Sequence, residues 1–125
     1  MIVAKCPIRI SLVGGSTDLQ AFLDVHGRGA VISFPCSLHT YISVHENHRS
    51  KFIVNYSKQE EVEAVEQIAN DVAREALLKF KPARFLTLNF NSDIFSVGSG
   101  LAASSSYVVA AIKALSIKLG SNLSD

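Results

Sequence analysis

The pattern of apolar and polar positions divides the chain into short strands and a few helices. Residues 2–6 are apolar apart from Lys5, and Pro7 closes the run. Ile8, Ile10 and Leu12 then alternate with Arg9, Ser11 and Val13. A period of two predicts a half-buried strand with Arg9 and Ser11 together on one face. Gly14 and Gly15 end it, and Ser16, Thr17 or Asp18 is placed to cap a short helix whose face is Leu19, Phe22, Leu23 and His26. After a turn at Gly27 and Gly29, residues 30–34 read as a strand ended by Pro35. Residues 38–46 alternate again, with Leu38, Thr40, Ile42 and Val44 on one side. A polar turn at 47–50 leads into residues 51–56, predicted as a hairpin partner.

The clearest predicted helix covers residues 57–81. Ser57 and Glu60 have capping-box spacing, and Val62, Val65, Ile68, Ala69, Val72 and Ala76 form an apolar stripe. Glu60, Glu61, Glu63 and Glu66 gather at its start and Lys79 and Lys81 at its end, as the helix dipole favours, and Pro82 stops it. Residues 85–91 read as a strand. A loop rich in Gly and Ser follows, then a second helix with Val108, Ala111, Ile112, Leu115 and Leu119 as its stripe and Gly120 as its cap. A run of strands with few helices predicts an α+β sandwich rather than a doubly wound sheet.

Composition adds bounds. With 125 residues, 48% of them hydrophobic and 18% charged, the chain is one packed domain or an incomplete one. A net charge of +1 gives no electrostatic footprint for nucleic acid or an anionic membrane. No apolar stretch approaches the roughly 18 residues of a membrane helix. Lys5 and Arg9 break the N-terminal apolar run, which therefore does not read as a signal peptide, and a cytoplasmic location is expected. Cys6 and Cys36 sit in apolar neighbourhoods and are expected as small buried hydrophobes. His26, His39, His45 and His48 show no metal-ligand spacing.

Two segments carry candidate chemistry. The first is Gly98, Ser99, Gly100, Leu101, Ala102, Ala103, Ser104, Ser105 and Ser106, between a strand and a helix. Glycines bring backbone close to a ligand, and a helix start presents unpaired N–H groups and a positive dipole end. Together these suit a phosphate, and serine hydroxyls can bind phosphate oxygens or Mg²⁺. The glycines alone are equally compatible with a plain turn. No Gly-Lys-[Ser/Thr] follows, so this is not a Walker loop. It fits Gly-x-Gly-x-x-Ala, a form of the dinucleotide fingerprint, but stands late in the chain, after several strands. A dinucleotide-binding oxidoreductase and a non-catalytic nucleotide-binding module therefore stay open as rivals.

The second segment runs from Pro7 to Asp18. A strand delivers Arg9, a glycine pair follows, and Ser16, Thr17 and Asp18 come next. An Arg can hold a phosphate or carboxylate through two parallel bonds, and an Asp can accept from neighbouring sugar hydroxyls. Ordinary capping by Ser16 or Asp18, with Arg9 in a surface ion pair, accounts for the same residues.

Taken in this order, the two segments resemble the first two motifs of the GHMP small-molecule kinases. Pro7, Arg9, Gly14, Gly15 and Asp18 follow the spacing Pro-x-Arg-x-x-x-x-Gly-Gly-x-x-Asp, and Gly98, Gly100, Leu101, Ser104 and Ser105 resemble the ATP-binding second motif. Gly15 and Ser16 stand where galactokinases carry Glu-His. With His26 and Gly27, the segment is most similar to the D-glycero-D-manno-heptose 7-phosphate kinase group. The resemblance implies a ribosomal-protein-S5-domain-2-like α+β fold, a two-layer sandwich. It implies ATP over Gly98, Ser99, Gly100, Leu101, Ala102, Ala103, Ser104 and Ser105, with Ser104 on Mg²⁺. It further implies an acceptor bound by Arg9, Ser16, Thr17 and Asp18. That acceptor is a sugar or sugar phosphate, with heptose 7-phosphate first and galactose, fucose or mevalonate as alternatives. Ser96 and Val97 replace a proline common before the loop, and Ala102 replaces a common glycine. The family's catalytic Asp, acidic Mg²⁺ ligand and third glycine-rich motif lie beyond the second motif. Residues 1–125 are therefore expected as the N-terminal ATP-binding domain of a longer kinase, inactive alone.

Overall fold

The computed structural model describes residues 1–94 and 103–121. Its elements are β1 (Ile2–Val13), α1 (Gln20–His26), β2 (Ile32–Glu46), β3 (Phe52–Asn55), β4 (Gln59–Val62), a single 3₁₀ turn at Val65–Gln67, α2 (Asp71–Phe80), β5 (Leu86–Ser92) and α3 (Ala103–Leu119). The strands form one five-stranded sheet in the order β1-β2-β5-β3-β4. Every pairing is antiparallel except β3 with β5. Helix α3 packs on β1 and β2, and α2 packs on α3. This is the expected α+β two-layer sandwich.

Period-two alternation builds the core. Thr40, Ile42 and Val44 of β2 are fully buried, and β1 and β5 add Ala4, Ile8, Leu86 and Leu88. The helices cover this face with Ala73, Ala76 and Leu77 of α2 and Ala110, Ala111, Ala114 and Leu115 of α3. The buried line of α3 is thus shifted from the predicted stripe: Val108 is exposed, and three alanines take the sheet side. Their short side chains let the helix lie close to the strands. The C-terminus of α3 follows the sequence reading. Gly120 has φ +66°, and the Ser121 N–H reaches the Ser116 carbonyl at 3.0 Å, the wrapped closure a glycine permits.

Four local expectations are corrected. Residues 57–81 are not one helix. Glu60, Glu61 and Val62 pair with Val54, Ile53 and Phe52 as the outer strand of the sheet. The free hydrogen-bonding edge of β3 outweighs the helix preference of a Glu-rich run, and the acidic side chains guard the new edge. The helix begins only after Asn70, whose Oδ1 accepts from the Ala73 N–H at 2.9 Å. It ends before Pro82 at Lys81, which adopts φ +47°. Secondly, Pro7 and Pro35 end no strand. Pro7 lies on the outer strand of the sheet beside a register shift, and Pro35 pairs with Arg9 where β2 has no second neighbour, since β5 pairs only with Thr40–Glu46. Thirdly, β3 is not the hairpin partner of β2, because β5 lies between them. Asn47 directs this: its N–H bonds the Phe85 carbonyl, and its Nδ2 donates to Thr87 Oγ1 at 3.0 Å. Lastly, the two cysteines are half-buried thiols rather than core residues.

An ion cluster closes the far end of the sandwich. Glu46 Oε1 lies 2.9 Å from Lys118 Nζ on α3, and Glu46 Oε2 lies 2.9 Å from Arg84 Nη1. The Lys118 and Arg84 bonds hold the Glu46 carboxyl down at about 2, against the opposing pull of desolvation. Among the described residues, no helix is long and apolar enough to cross a membrane.

Two consequences can be measured. A depressed carboxyl pKa stabilises the fold above the ordinary value of 4.5, and the gain vanishes as pH falls toward about 2. Glu46→Gln therefore lowers the urea midpoint at pH 7 and flattens its fall between pH 4.5 and 2, as urea titrations at several pH values will read. The second concerns Gly14, which has φ +84° and whose added Cβ would stand 1.9 Å from the Ala30 carbonyl oxygen. Gly14→Ala is expected to cost more than about 1 kcal/mol in urea unfolding.

Candidate functional site

Helix α3 runs for 17 residues, so its first turn concentrates unpaired N–H groups and the positive end of a full dipole. Of the predicted ATP loop, Gly98, Ser99, Gly100, Leu101 and Ala102 lie outside the described residues. Ala103 opens the helix, Ser104 and Ser105 are exposed on its first turn, and Ser106 is buried.

Two depressions flank this turn. One, of about 160 Å³, is lined by Cys6, Pro7, Arg9, Ser105, Ser106 and Val109. The fold thus brings Arg9 of the first motif against the serines of the second, some 95 positions away along the chain. Arg9 is exposed and makes no ion pair among the described residues, so the surface ion pair that would explain it structurally is not formed. Burial pushes the Cys6 thiol up, which keeps it a neutral wall of this pocket.

The other depression, of about 210 Å³, is lined by Tyr56, Ser57, Asn70, Val72, Phe90, Ser104 and Tyr107. Phe90 and Tyr107 form a tilted ring pair with centroids 5.4 Å apart. Burial raises the Tyr107 and Tyr56 hydroxyl pKa values, so both phenols remain neutral donors. A larger depression of about 290 Å³ between α2 and α3 contains no residue of either motif.

Ser16, Thr17 and Asp18 occupy the turn beyond β1 and do not line the Arg9 pocket. None of them caps α1. Leu19 is at the N-cap and no side chain bonds there. Thr17 instead braces the turn, its Oγ1 donating to the Ala30 carbonyl at 3.1 Å. Ser16 has φ +70°, and Asp18 is exposed with no bonded partner among the described residues. The capping account of these side chains is therefore set aside.

The sequence reading missed the aromatic groove. Tyr56, Phe90 and Tyr107 are far apart in the chain and carry no motif. Asn70 could have been found: an Asn followed by Asp71 and an apolar series is a helix start. It also missed Asp93 at the exit of β5. Its Oδ2 accepts from the His39 N–H at 2.8 Å and from the Tyr41 hydroxyl at 3.2 Å, with His39 Nδ1 at 3.7 Å. Among the described residues no group of His, Cys, Asp or Glu could hold a metal ion. Among the described residues, the serine hydroxyls of the first turn of α3 are the hard oxygen donors that a Mg²⁺ ion prefers. The dinucleotide fingerprint requires a parallel βαβ setting, whereas β5 runs antiparallel to β2 and lies in a largely antiparallel sheet.

No protein-family model and no curated protein matches this sequence. Solved structures do. A D-glycero-D-manno-heptose 1-phosphate kinase from Bacteriodes thetaiotaomicron superposes with a TM-score of 0.80 at 21% identity, over 98% of this chain and 44% of its own. A putative sugar kinase from Campylobacter jejuni gives 0.74 at 29% identity, over 98% and 42%. The mevalonate kinase of Methanococcus jannaschii gives 0.74 at 20% identity, over 98% and 42%. The chain spans less than half the length of each of these proteins. Its fold is that of the N-terminal domain of GHMP-family kinases.

Proposed function

We propose that this chain is the nucleotide-holding part of an ATP-dependent kinase that phosphorylates a hydroxyl of a sugar or sugar phosphate. The supporting observation is the first turn of α3, with an aromatic groove on one side and Arg9 on the other. In this reading a purine base would lie against the aromatic walls of the groove, with Ser57 and Asn70 as its polar partners. The triphosphate then runs toward the helix start, where backbone N–H groups and the Ser104 and Ser105 hydroxyls can bind it. Ser104 belongs to the base-side groove and Ser105 to the Arg9 pocket, so adjacent hydroxyls serve the donor and the transferred group.

The reaction forms a bond from the acceptor oxygen to the γ-phosphorus and breaks the bond to the β-phosphate oxygen, releasing ADP. Arg9 offsets the charge spreading over the equatorial oxygens and orients the acceptor. Ser104 would hold Mg²⁺, which when bound would supply charge neutralisation at the phosphates. The hydroxyl proton needs a base, and among the described residues that line the Arg9 pocket there is no carboxylate. That base belongs to the remainder of a longer protein, for which these residues form the donor half. Gly98, Ser99, Gly100, Leu101, Ala102 and Ala103 complete the phosphate cradle in this reading. Ser16, Thr17 and Asp18, on the turn beyond β1 and outside the Arg9 pocket, are assigned in this reading to a more distant part of the acceptor. Heptose 7-phosphate, at its anomeric hydroxyl, is the acceptor we favour. The glycine-pair segment and the heptose kinase among the structural neighbours support it.

Calorimetric titration of the chain should show Mg-ATP binding and no NAD binding. Absence of nucleotide binding would remove the donor assignment. Phosphate release from ATP by the complete protein, measured against heptose 7-phosphate, galactose, fucose and mevalonate, will rank the acceptors. Turnover on none of them ends the sugar-kinase reading. Ser104→Ala should weaken Mg-ATP about tenfold, the loss of one bond to a charged partner, and weaken ATP in EDTA by clearly less, where only its contact to the phosphates is lost. Equal affinities in Mg²⁺ would take Ser104 out of its metal role.

A further inference from the structure

The groove beside Ser104 is shaped by a residue that does not line it. Glu60 is half-buried on β4, the outermost strand. One carboxylate oxygen accepts from the Tyr56 hydroxyl, and the other accepts from the Ala69 N–H at 2.6 Å. Tyr56 belongs to the turn between β3 and β4, whereas Ala69 immediately precedes Asn70, the N-cap of α2. Tyr56 and Asn70 both line the groove. A single carboxylate therefore ties two of its walls together.

The local chemistry shows how firmly. Desolvation pulls the Glu60 carboxyl up, but the Tyr56 hydroxyl and the backbone N–H groups of Ala69 and Asn70 outweigh it and hold it below its usual range. Such a carboxylate stays ionised, so its acceptor role is fixed. Lys58 Nζ stands 5.8 Å from the Tyr56 ring centroid, which orients the ring further. Asn70 is fixed at its other end by the bond from Ala73. Each wall is thus restrained independently, and Glu60 sets their mutual position. A half-buried carboxylate on an edge strand is costly unless it is bonded, and here its bonds go to Tyr56 in one groove wall and to the backbone at Ala69, directly before Asn70 in the other.

We propose that Glu60 is a positioning residue that sets Tyr56 and Asn70 at the spacing a nucleoside base requires, and so gives the chain its preference for a nucleoside triphosphate over bare triphosphate. This rests on the reading of the groove as the base site. Calorimetry with Mg-ATP and with Mg-tripolyphosphate, on the unsubstituted chain, Glu60→Ala, Glu60→Gln and Tyr56→Phe, tests both. The unsubstituted chain should bind ATP the more tightly. Glu60→Ala should lose about tenfold in ATP affinity while tripolyphosphate stays within about twofold. Tyr56→Phe and Glu60→Gln should each lose part of this preference. Combined, they should lose less than the sum, because they share one hydrogen bond. An unchanged ATP preference in Glu60→Ala overturns the role of Glu60 and leaves the groove reading standing. Equal losses for both ligands overturn it too, since they mark a general loss of structure. No ATP preference in the unsubstituted chain overturns the groove reading and the Glu60 role together. If Glu60→Ala gives no cooperative thermal transition, Glu60→Gln and Tyr56→Phe decide by the same comparison.

Discussion

Everything that could be functional here depends on how close α3 lies to β1 and β2. The contact is made by Ala110, Ala111, Ala114 and Leu115 against Ala4, Ile42 and Val44. Alanines on the helix and an alanine on β1 leave little side-chain volume between backbone and backbone. Larger residues on that face would lift the helix and widen the gap between Arg9 and Ser105. A tight helix–sheet seam therefore sets a distance at the other end of the same helix.

That seam explains why the two depressions exist and why they sit on opposite sides of one helical turn. β1 is held to β2 by a register that pairs Cys6 with Thr40 and Pro7 with His39, which brings Arg9 beside the first turn of α3. On the opposite flank, Phe90 on β5 makes a tilted ring contact with Tyr107 on α3, and the β3–β4 turn approaches the start of α2. The ion cluster of Glu46, Arg84 and Lys118 fixes the far end of α3. The N-terminal turn of the same helix lies between the two depressions.

Some of this was legible in the residues themselves. The alternation at 38–46 identified the buried side of β2 correctly, since Thr40, Ile42 and Val44 are wholly enclosed. Gly120 marked the end of α3, and the α+β class followed from the order of elements. The reading failed where a local signal had a long-range competitor. The Glu-rich segment at 60–66 has good helix chemistry but lies beside the unpaired edge of β3. Pro7 and Pro35 are local breakers, yet a strand tolerates a proline where it has a neighbour on one side only. The partner of β3 could not be found by proximity in sequence, because β5 arrives some 30 residues later to take the central place.

By itself, the sequence determined the two chemical ingredients: an Arg on a strand before a glycine pair, and serines at the start of a helix. Residue type and spacing suffice for that, because they decide which groups can bind an anion. Only the tertiary structure decided that Arg9 meets Ser105, while Ser16, Thr17 and Asp18 stand apart from that pocket. It alone assembled Tyr56, Asn70, Phe90 and Tyr107 into a groove with Glu60 tying two of its walls. The reason is that these contacts are made by packing between elements. Packing depends on the summed shapes of many residues, and no local pattern encodes it.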